Sequence, residues 1–366
     1  MEKIPFRAFA DTPITYVERK LNNWRLAEEK EKYIKKRVAS IGGGYQGTAR
    51  EYKEVVLKYW AKYGQKPSHW WYNLFCDGQG KFDPRYITDP IWICSIIPYF
   101  NDMKMRLAYD DKGFYHRLFP DVKMPQTVVK QMGGYYYNGD GEELISREEA
   151  VRLIQQEQEL IFKKSIYSWG GKGIDFYTAS DEKKSDVNAI LNSFQSNFVA
   201  QRIVRQHPDL SRVNRNSLNT VRVITFHFKE QIHFLSAQLR IGGVGARVDN
   251  VSAGGCACSV KPDGWLQEKA IARSGGWTDT HASGIKFKDI CVPSFDRVVQ
   301  TAKRLHTQLP HFNIVGWDFS IDEAGDPVLI ELNFNPGQNQ IGSKQPTFGD
   351  MSEEVFDEVF RKKTLR

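Results

Sequence analysis

Cysteine and uninterrupted apolar sequence are both scarce in this 366-residue chain. The five cysteines, Cys76, Cys94, Cys256, Cys258 and Cys291, are odd in number and scattered. That excludes a disulfide framework and fits a reducing compartment. Cys256 and Cys258 would share one face of a strand, but no second Cys/His pair stands at zinc spacing, so packing is their expected role. The longest greasy stretch, 91–100, is broken by Ser95 and Pro98 and is far too short to cross a bilayer. The opening residues MEKIPFRAFADTP carry no apolar signal core, so the chain is read as cytoplasmic. It has no internal repeat, no low-complexity tract and no basic block of the kind that binds DNA or RNA. The net charge of +7 therefore reads as a solvated basic surface. No convincing Ser-His-Asp or Cys-His motif is present, and His207, His227 and His233 read as structural.

What is present is an ordinary globular mixture, 41% hydrophobic and 26% charged, which excludes disorder throughout and collagen. The length allows two or three lobes. Aromatics reach 13%, enough for large cores or for surfaces that recognise rings or sugars. Residues 14–66 read as helical, interrupted at Gly42-Gly43-Gly44. Tyr52, Val55, Val56, Tyr59 and Trp60 stand at helical spacing and are read as a packing face. Ser146-Arg147-Glu148-Glu149 is a capping-box pattern that opens a helix. Strands are expected at 160–162, 197–204, 221–228 and 232–240, and helices at 186–196 and 296–309. The last pair of strands is 314–321 and 328–333. The class is α+β, with helices early and an antiparallel-rich second half.

The sharpest feature is that last hairpin. Its turn, Glu323-Ala324-Gly325-Asp326, is rich in turn residues. A fold symmetric about Ala324-Gly325 sets Asp318 directly opposite Glu331, with Asn333 on the same face. Trp317, Phe319, Val328, Ile330 and Leu332 are expected to form the apolar opposite face. Two carboxylates roughly 5 Å apart repel each other. A hard cation removes that repulsion, and Mg²⁺ favours one or two carboxylates plus substrate phosphates.

The order Asp318…Glu331-Leu332-Asn333-Phe334-Asn335-Pro336-Gly337 resembles the metal-binding end of the ATP-grasp superfamily. Other blocks follow the same resemblance. Lys163-Lys164 followed by Gly170-Gly171-Lys172-Gly173 looks like the strand lysine and the flexible glycine loop over the phosphates. Either Lys163 or Lys164 is the strand lysine; Lys163 is preferred. The segment from Phe198 to Val204 resembles the hinge strand that reads adenine and ribose, with Gln201 where the family commonly has Glu. Asp111-Lys112 looks like the lysine-bearing segment ahead of the grasp lobe. Arg222, Arg240, Arg247 and Asn250 follow the order of the glutamate-ligase-like branch, where such residues hold phosphate, acyl phosphate and metal. The nearest subgroup looks like the sugar-transfer-associated ATP-grasp proteins.

The resemblance implies an ATP-grasp fold, with two α+β lobes gripping ATP and Mg²⁺ or Mn²⁺. A helical N-terminal region (1–100), a preceding segment (101–145), a small lobe (146–205) and a large lobe with the metal site (206–366) are expected. Site residues carried over are Arg222 and Arg240 for catalysis. Lys112, Lys163, Lys164, Gly170, Gly171, Lys172, Gly173, Gln201, Val204 and Arg247 are carried over for nucleotide, and Asp318, Glu331 and Asn333 for metal. The implied activity is an amide-forming carboxylate-amine ligase of polysaccharide or cell-surface sugar biosynthesis, acting on small molecules. A phosphotransferase and a non-catalytic nucleotide- or glycan-binding module are the alternatives. Neither the carboxylate, nor the acceptor, nor the oligomeric state follows from the sequence.

Overall fold

The structure is a computed structural model that describes residues 13–40, 49–75, 82–139, 143–166, 173–182, 184–243, 245–247, 255–272 and 276–361. Gly42 to Gly44, Cys76, Gly170, Gly171, Lys172, Asp249 and Asn250 lie outside those residues.

Six strands form a first antiparallel sheet: β1 (Thr127–Met132), β2 (Tyr135–Asn138), β3 (Leu144–Ile145), β4 (Glu159–Lys164), β5 (Ile174–Thr178) and β6 (Phe198–Arg202), in the order β3-β2-β1-β6-β4-β5. Helices α1 (Pro13–Ser40), α2 (Arg147–Gln155) and α3 (Val187–Phe194) precede and flank it. Ser146 caps α2 by accepting from the Glu149 N–H at 3.1 Å, and Asp186 caps α3 from Ala189 at 3.0 Å. Their inner faces, with Ala150, Ile154, Ile190 and Phe194, bury Leu160 and Phe162 of β4 and Phe198 and Ala200 of β6. Alternation then turns Ile161 and Lys163, and across the ladder Val199 and Gln201, to the opposite face. The expected boundary at 145/146 shifts, because β1–β3 belong to the same sheet as β4 and β6.

The second sheet has the order β11-β10-β9-β8-β7-β12-β13 and is also antiparallel. Its strands are β7 (Thr220–Phe228), β8 (Gln231–Ile241), β9 (Cys256–Val260), β10 (Ala270–Ala272), β11 (Trp277–Thr278), β12 (Ile314–Ile321) and β13 (Pro327–Asn333). Helix α4 (Phe295–His306) buries Val298, Ala302 and Leu305 in one core with Val221, Val223, Trp317, Phe319 and Ile321. Cys256 and Cys258 lie buried in that core. Burial pushes their thiols up to about 11 and about 12, consistent with packing.

The other face of this sheet is divided. Along β7 the residues on it run Thr220, Arg222, Ile224, Phe226 and Phe228, polar first and then apolar. The apolar end, with Ile314 of β12, is buried under Trp60, Tyr72, Trp92 and Phe100 of the N-terminal region and Phe348, Phe356 and Phe360 near the C-terminal end. The helical aromatics Tyr59 and Trp60 are buried as expected, whereas Trp24 of α1 is 63% exposed. Asn101 secures the cover, its amide donating to the carbonyls of Ile314 and Phe334, both at 2.7 Å, and its oxygen accepting from Asn313 and Ile314. The polar end of the same face lies outside that apolar cluster.

Candidate functional site

Cross-strand register sets a row of side chains on the polar end of that face of the second sheet: Ser259 of β9, Gln238 of β8, Arg222 of β7, Asp318 of β12 and Glu331 of β13. Asp318 does face Glu331, and Gly316 faces Asn333. The route to that register differs from a symmetric turn. Near the turn Ile321 pairs with Pro327 and Phe319 with Leu329, and an irregularity between Asp318 and Phe319 then shifts the pairing by one. As a result Leu329 and Leu332 enter the core, while Ile330, expected on the apolar face, lines the cleft. Gly316 is needed where it stands, because a Cβ there would lie 2.8 Å from Pro336 Cβ.

Asp318 is only 3% exposed. Arg222 grips it with two prongs, Nε to Oδ1 at 2.7 Å and Nη2 to Oδ2 at 2.5 Å, and Arg240 adds a bond to Oδ2 at 3.0 Å. Burial pushes this carboxyl up, but the two guanidinium charges outweigh it and hold Asp318 below its usual range. Glu331 is paired with Lys112 at 3.0 Å. The repulsion expected between the two carboxylates is thus offset by three basic side chains. Next to them, Asp110 is bound by Arg106 at 2.8 Å, yet burial raises its carboxyl above the usual range. The Tyr115 hydroxyl, raised well above its ordinary value by burial, accepts from the Leu332 N–H.

Among the described residues no group of three or more His, Cys, Asp or Glu is placed to hold a metal. The local oxygen ligands are instead the Glu331 carboxylate, with its side chain 34% exposed, the half-buried Asn333 amide, and Asp318 Oδ1, which accepts from Arg222 Nε. Such an oxygen-only, incomplete set fits a hard cation that takes its remaining ligands from water or a bound anion.

A cleft of about 740 Å³ opens between the two sheets. Its first wall is Glu159, Ile161 and Lys163 of β4 with Phe176 and Thr178 of β5. Lys163 therefore lines the cleft. Lys164 is exposed, and its side chain lies against Gly173. The hinge contributes Arg202, Ile203 and Val204. Gln201 is buried beside Thr127 at 3.4 Å and does not line the cleft. Arg247, from the segment after β8, lies 3.8 Å from the centre of the Phe176 ring and 3.9 Å from Glu159, so it reaches the first wall. Lys112 joins this cleft region to the charged row, since its N–H donates to Ser165 O at 3.0 Å, just beyond β4, while its Nζ holds Glu331.

Sequence reading missed the loop that forms the far wall, Arg215, Asn216, Ser217 and Leu218. Gln206 shapes it, donating to the carbonyls of Asn214 and Ser217 and accepting from Asn219. The signal available was the polar run from Asn214 to Asn219 immediately ahead of a strong strand.

Residues 95–346 match the family described as sugar-transfer associated ATP-grasp. No curated protein matches the chain. Solved structures resembling it include the ADP complex of an N5-carboxyaminoimidazole ribonucleotide synthetase, at 11% identity and a TM-score of 0.40, covering 64% of this chain and 49% of that one. The ATP-grasp ligase PsnB complexed with a precursor peptide and AMPPNP gives 14% identity and a TM-score of 0.39, covering 73% and 63%. The L-amino acid ligase from Bacillus licheniformis gives 11% and 0.35, covering 64% and 42%. The chain thus spans between two-fifths and two-thirds of the length of these structures.

Proposed function

Because the chain belongs to the sugar-transfer associated ATP-grasp family, we propose that it is an ATP- and Mg²⁺-dependent ligase that joins a carboxylate to an amine through an acyl phosphate. The fold is the α+β ATP-grasp fold of that family. The observation that carries the reading is the double attachment of Lys112, by its backbone to the end of β4 and by its side chain to Glu331. A triphosphate that enters past Lys163 would end between these two anchors, beside Arg222 and Arg240.

In this reading the nucleoside occupies the cleft between Ile161 and Ile330, with the hinge backbone at 202–204 toward the base. Lys163 and Lys112 meet the phosphates. Glu331 and Asn333, with Asp318 behind them, would hold Mg²⁺ (or Mn²⁺), which neutralises phosphate charge when bound. The substrate carboxylate oxygen attacks the γ-phosphorus, the bond to the β-bridging oxygen breaks, and ADP leaves. The amine then adds to the acyl carbon and loses its proton, and phosphate departs with the former carboxylate oxygen. Arg240 lies at the side of this transfer, where its guanidinium charge stabilises the acyl phosphate, and Arg222 keeps Asp318 in place. No side-chain nucleophile is needed, because positioning and charge neutralisation lower the barrier.

The acceptor is proposed to come from cell-surface sugar biosynthesis in the cytoplasm, in keeping with the family's description. The N-terminal region adjoins the segment after β13, since Trp92 Nε1 donates to Pro336 O at 2.8 Å and Gln340 is bonded to Ile87. Sugar acids and amino acids screened for ADP release identify the substrates, and an ¹⁸O-labelled carboxylate then tests the chemistry. Label in the released phosphate is the expected result. Label retained in the substrate, with phosphate on the product, would replace the ligase by a phosphotransferase.

A further inference from the structure

Nothing in the sequence pattern marks Lys130, yet it is a lysine only 4% exposed. It stands on β1 in a cross-strand row with Val199 and Lys163, so its side chain is on the cleft face of the first sheet. At ordinary strand spacing it is about 10 Å from the Lys163 backbone. Its Nζ donates to the carbonyl of Gly113 at 3.4 Å and lies 5.9 Å from the centre of the Tyr137 ring, its partner across the ladder.

Gly113 is the residue after Lys112. The turn that carries both is held on every side. Asp111 accepts from the Gly113 N–H at 2.9 Å, and Lys112 donates to Ser165 O at 3.0 Å. Met132, two residues along β1 from Lys130, presses on the turn so closely that a Cβ on Gly113 would lie 2.5 Å from its sulfur. Lys112 leaves this turn and reaches Glu331 at 3.0 Å. A buried ammonium is costly, and an apolar side chain of similar length would fill the same space at lower cost. Unlike an apolar side chain, the ammonium can hold the Gly113 carbonyl.

We infer that Lys130 is a positioning residue for Lys112: by fixing the Gly113 peptide it aims the Lys112 ammonium at the phosphate end of the cleft. The inference rests on the nucleotide reading of that cleft. It is a role for a third lysine beside the two that would meet the phosphates, and it is exerted through Lys112.

The test is a double-mutant cycle on the full-length protein, with AMPPNP affinity in Mg²⁺ read by calorimetry and thermal midpoints recorded alongside. Lys130→Met should weaken binding roughly tenfold, the loss of one well-placed contact. In a Lys112→Ala background the same substitution should change affinity by less than about twofold. Lys130→Arg should recover part of the loss. A merely structural lysine would lower the midpoint in both backgrounds and leave affinity alone, which would overturn the inference. Equal losses in both backgrounds would overturn it too, by making Lys130 a direct nucleotide contact. Should Lys130→Met fail to fold, Gly113→Ala displaces the same turn and must show the same dependence on Lys112. If the parent protein itself does not bind the analogue, the nucleotide reading fails first and this inference falls with it.

Discussion

At the scale of single residues, Asp318 governs the site. It is a buried carboxylate whose charge is kept by Arg222 and Arg240, and each of them is in turn kept by it. Removing one partner of such a group leaves a buried charge under-compensated. Arg222→Met should therefore lower unfolding free energy by about 3–5 kcal/mol, as read from urea titration. A loss below about 1 kcal/mol would mean that Arg240 alone suffices or that water reaches Asp318. The Asp318 carboxyl is held low in the folded state, so its contribution is in place above the usual carboxylate range and is lost as pH falls through and below it. The pairing of Asp318 with Glu331 agrees with the sequence reading, although the irregularity beside Asp318, and not a symmetric turn, sets it. The company Asp318 keeps was not legible in the sequence, because Arg222 and Arg240 reach it only after three strands are laid side by side.

At the scale of elements, the β12–β13 hairpin shows how a correct register can arise by another path. Pairing is one residue off near the turn, and the irregularity beside Asp318 restores it. No sequence rule used here marks that irregularity, which is why Ile330 was assigned to the wrong face. Strands β4, β7, β8 and β12 were legible from β-branched and aromatic runs. Strands β1 and β5 were not, nor were the short strands β2, β3, β10 and β11, whose two to four residues give too little periodicity. The hairpin also carries a close backbone approach at the site. Gly316→Ala puts a methyl 2.8 Å from Pro336, which must move Asn333 or the loop after it. The expected outcome is about 1–3 kcal/mol of lost stability and a larger fall in turnover than in nucleotide affinity. Unchanged turnover would detach Asn333 from the chemistry.

Helix α4 supplies a second element-scale prediction. The ring of His306 accepts from Thr225 Oγ1 at 2.7 Å and donates to Phe312 O at 2.9 Å, while Trp317 Nε1 donates to the same Thr225 at 2.8 Å. Burial pushes His306 down to about 4, so the folded protein holds it neutral. An unfolded chain binds that proton near pH 6.5, so the unfolded state carries more protons between pH 6.5 and 4. Stability is full above that window and declines as pH falls through it, by on the order of 3 kcal/mol from this group. The thermal midpoint should drop across the window, and His306→Gln should flatten part of that slope. An equal slope in the variant would remove His306 as its source.

At the scale of the whole molecule, one face of the second sheet serves two ends. Its apolar half is covered by the N-terminal helices and the residues after 347, and its polar half carries the row of charged and polar side chains around Asp318. The family match begins at residue 95, but the core does not divide there. A chain cut to 95–366 would expose Ile224, Phe226, Phe228 and Ile314, and is expected to lose cooperative unfolding and to bind a hydrophobic dye. Cooperative melting at the parent's midpoint would contradict that. Of the two readings of the aromatic richness, large cores or surfaces that recognise rings, this cluster is of the first kind, with Trp60, Tyr72, Trp92, Phe226 and Phe356 buried together.

Nucleotide is proposed to lie in the cleft between the sheets, with its phosphates met from β4 by Lys163. Period two on that strand turns Lys163 into the cleft and Lys164 out of it, so the two neighbours make a matched pair. Calorimetric titration of AMPPNP in Mg²⁺ against the parent, Lys163→Met and Lys164→Met decides the matter. The account predicts binding by the parent, a loss of roughly tenfold or more in Lys163→Met, and less than about twofold in Lys164→Met. Equal affinities in all three proteins, or a loss confined to Lys164→Met, would contradict it.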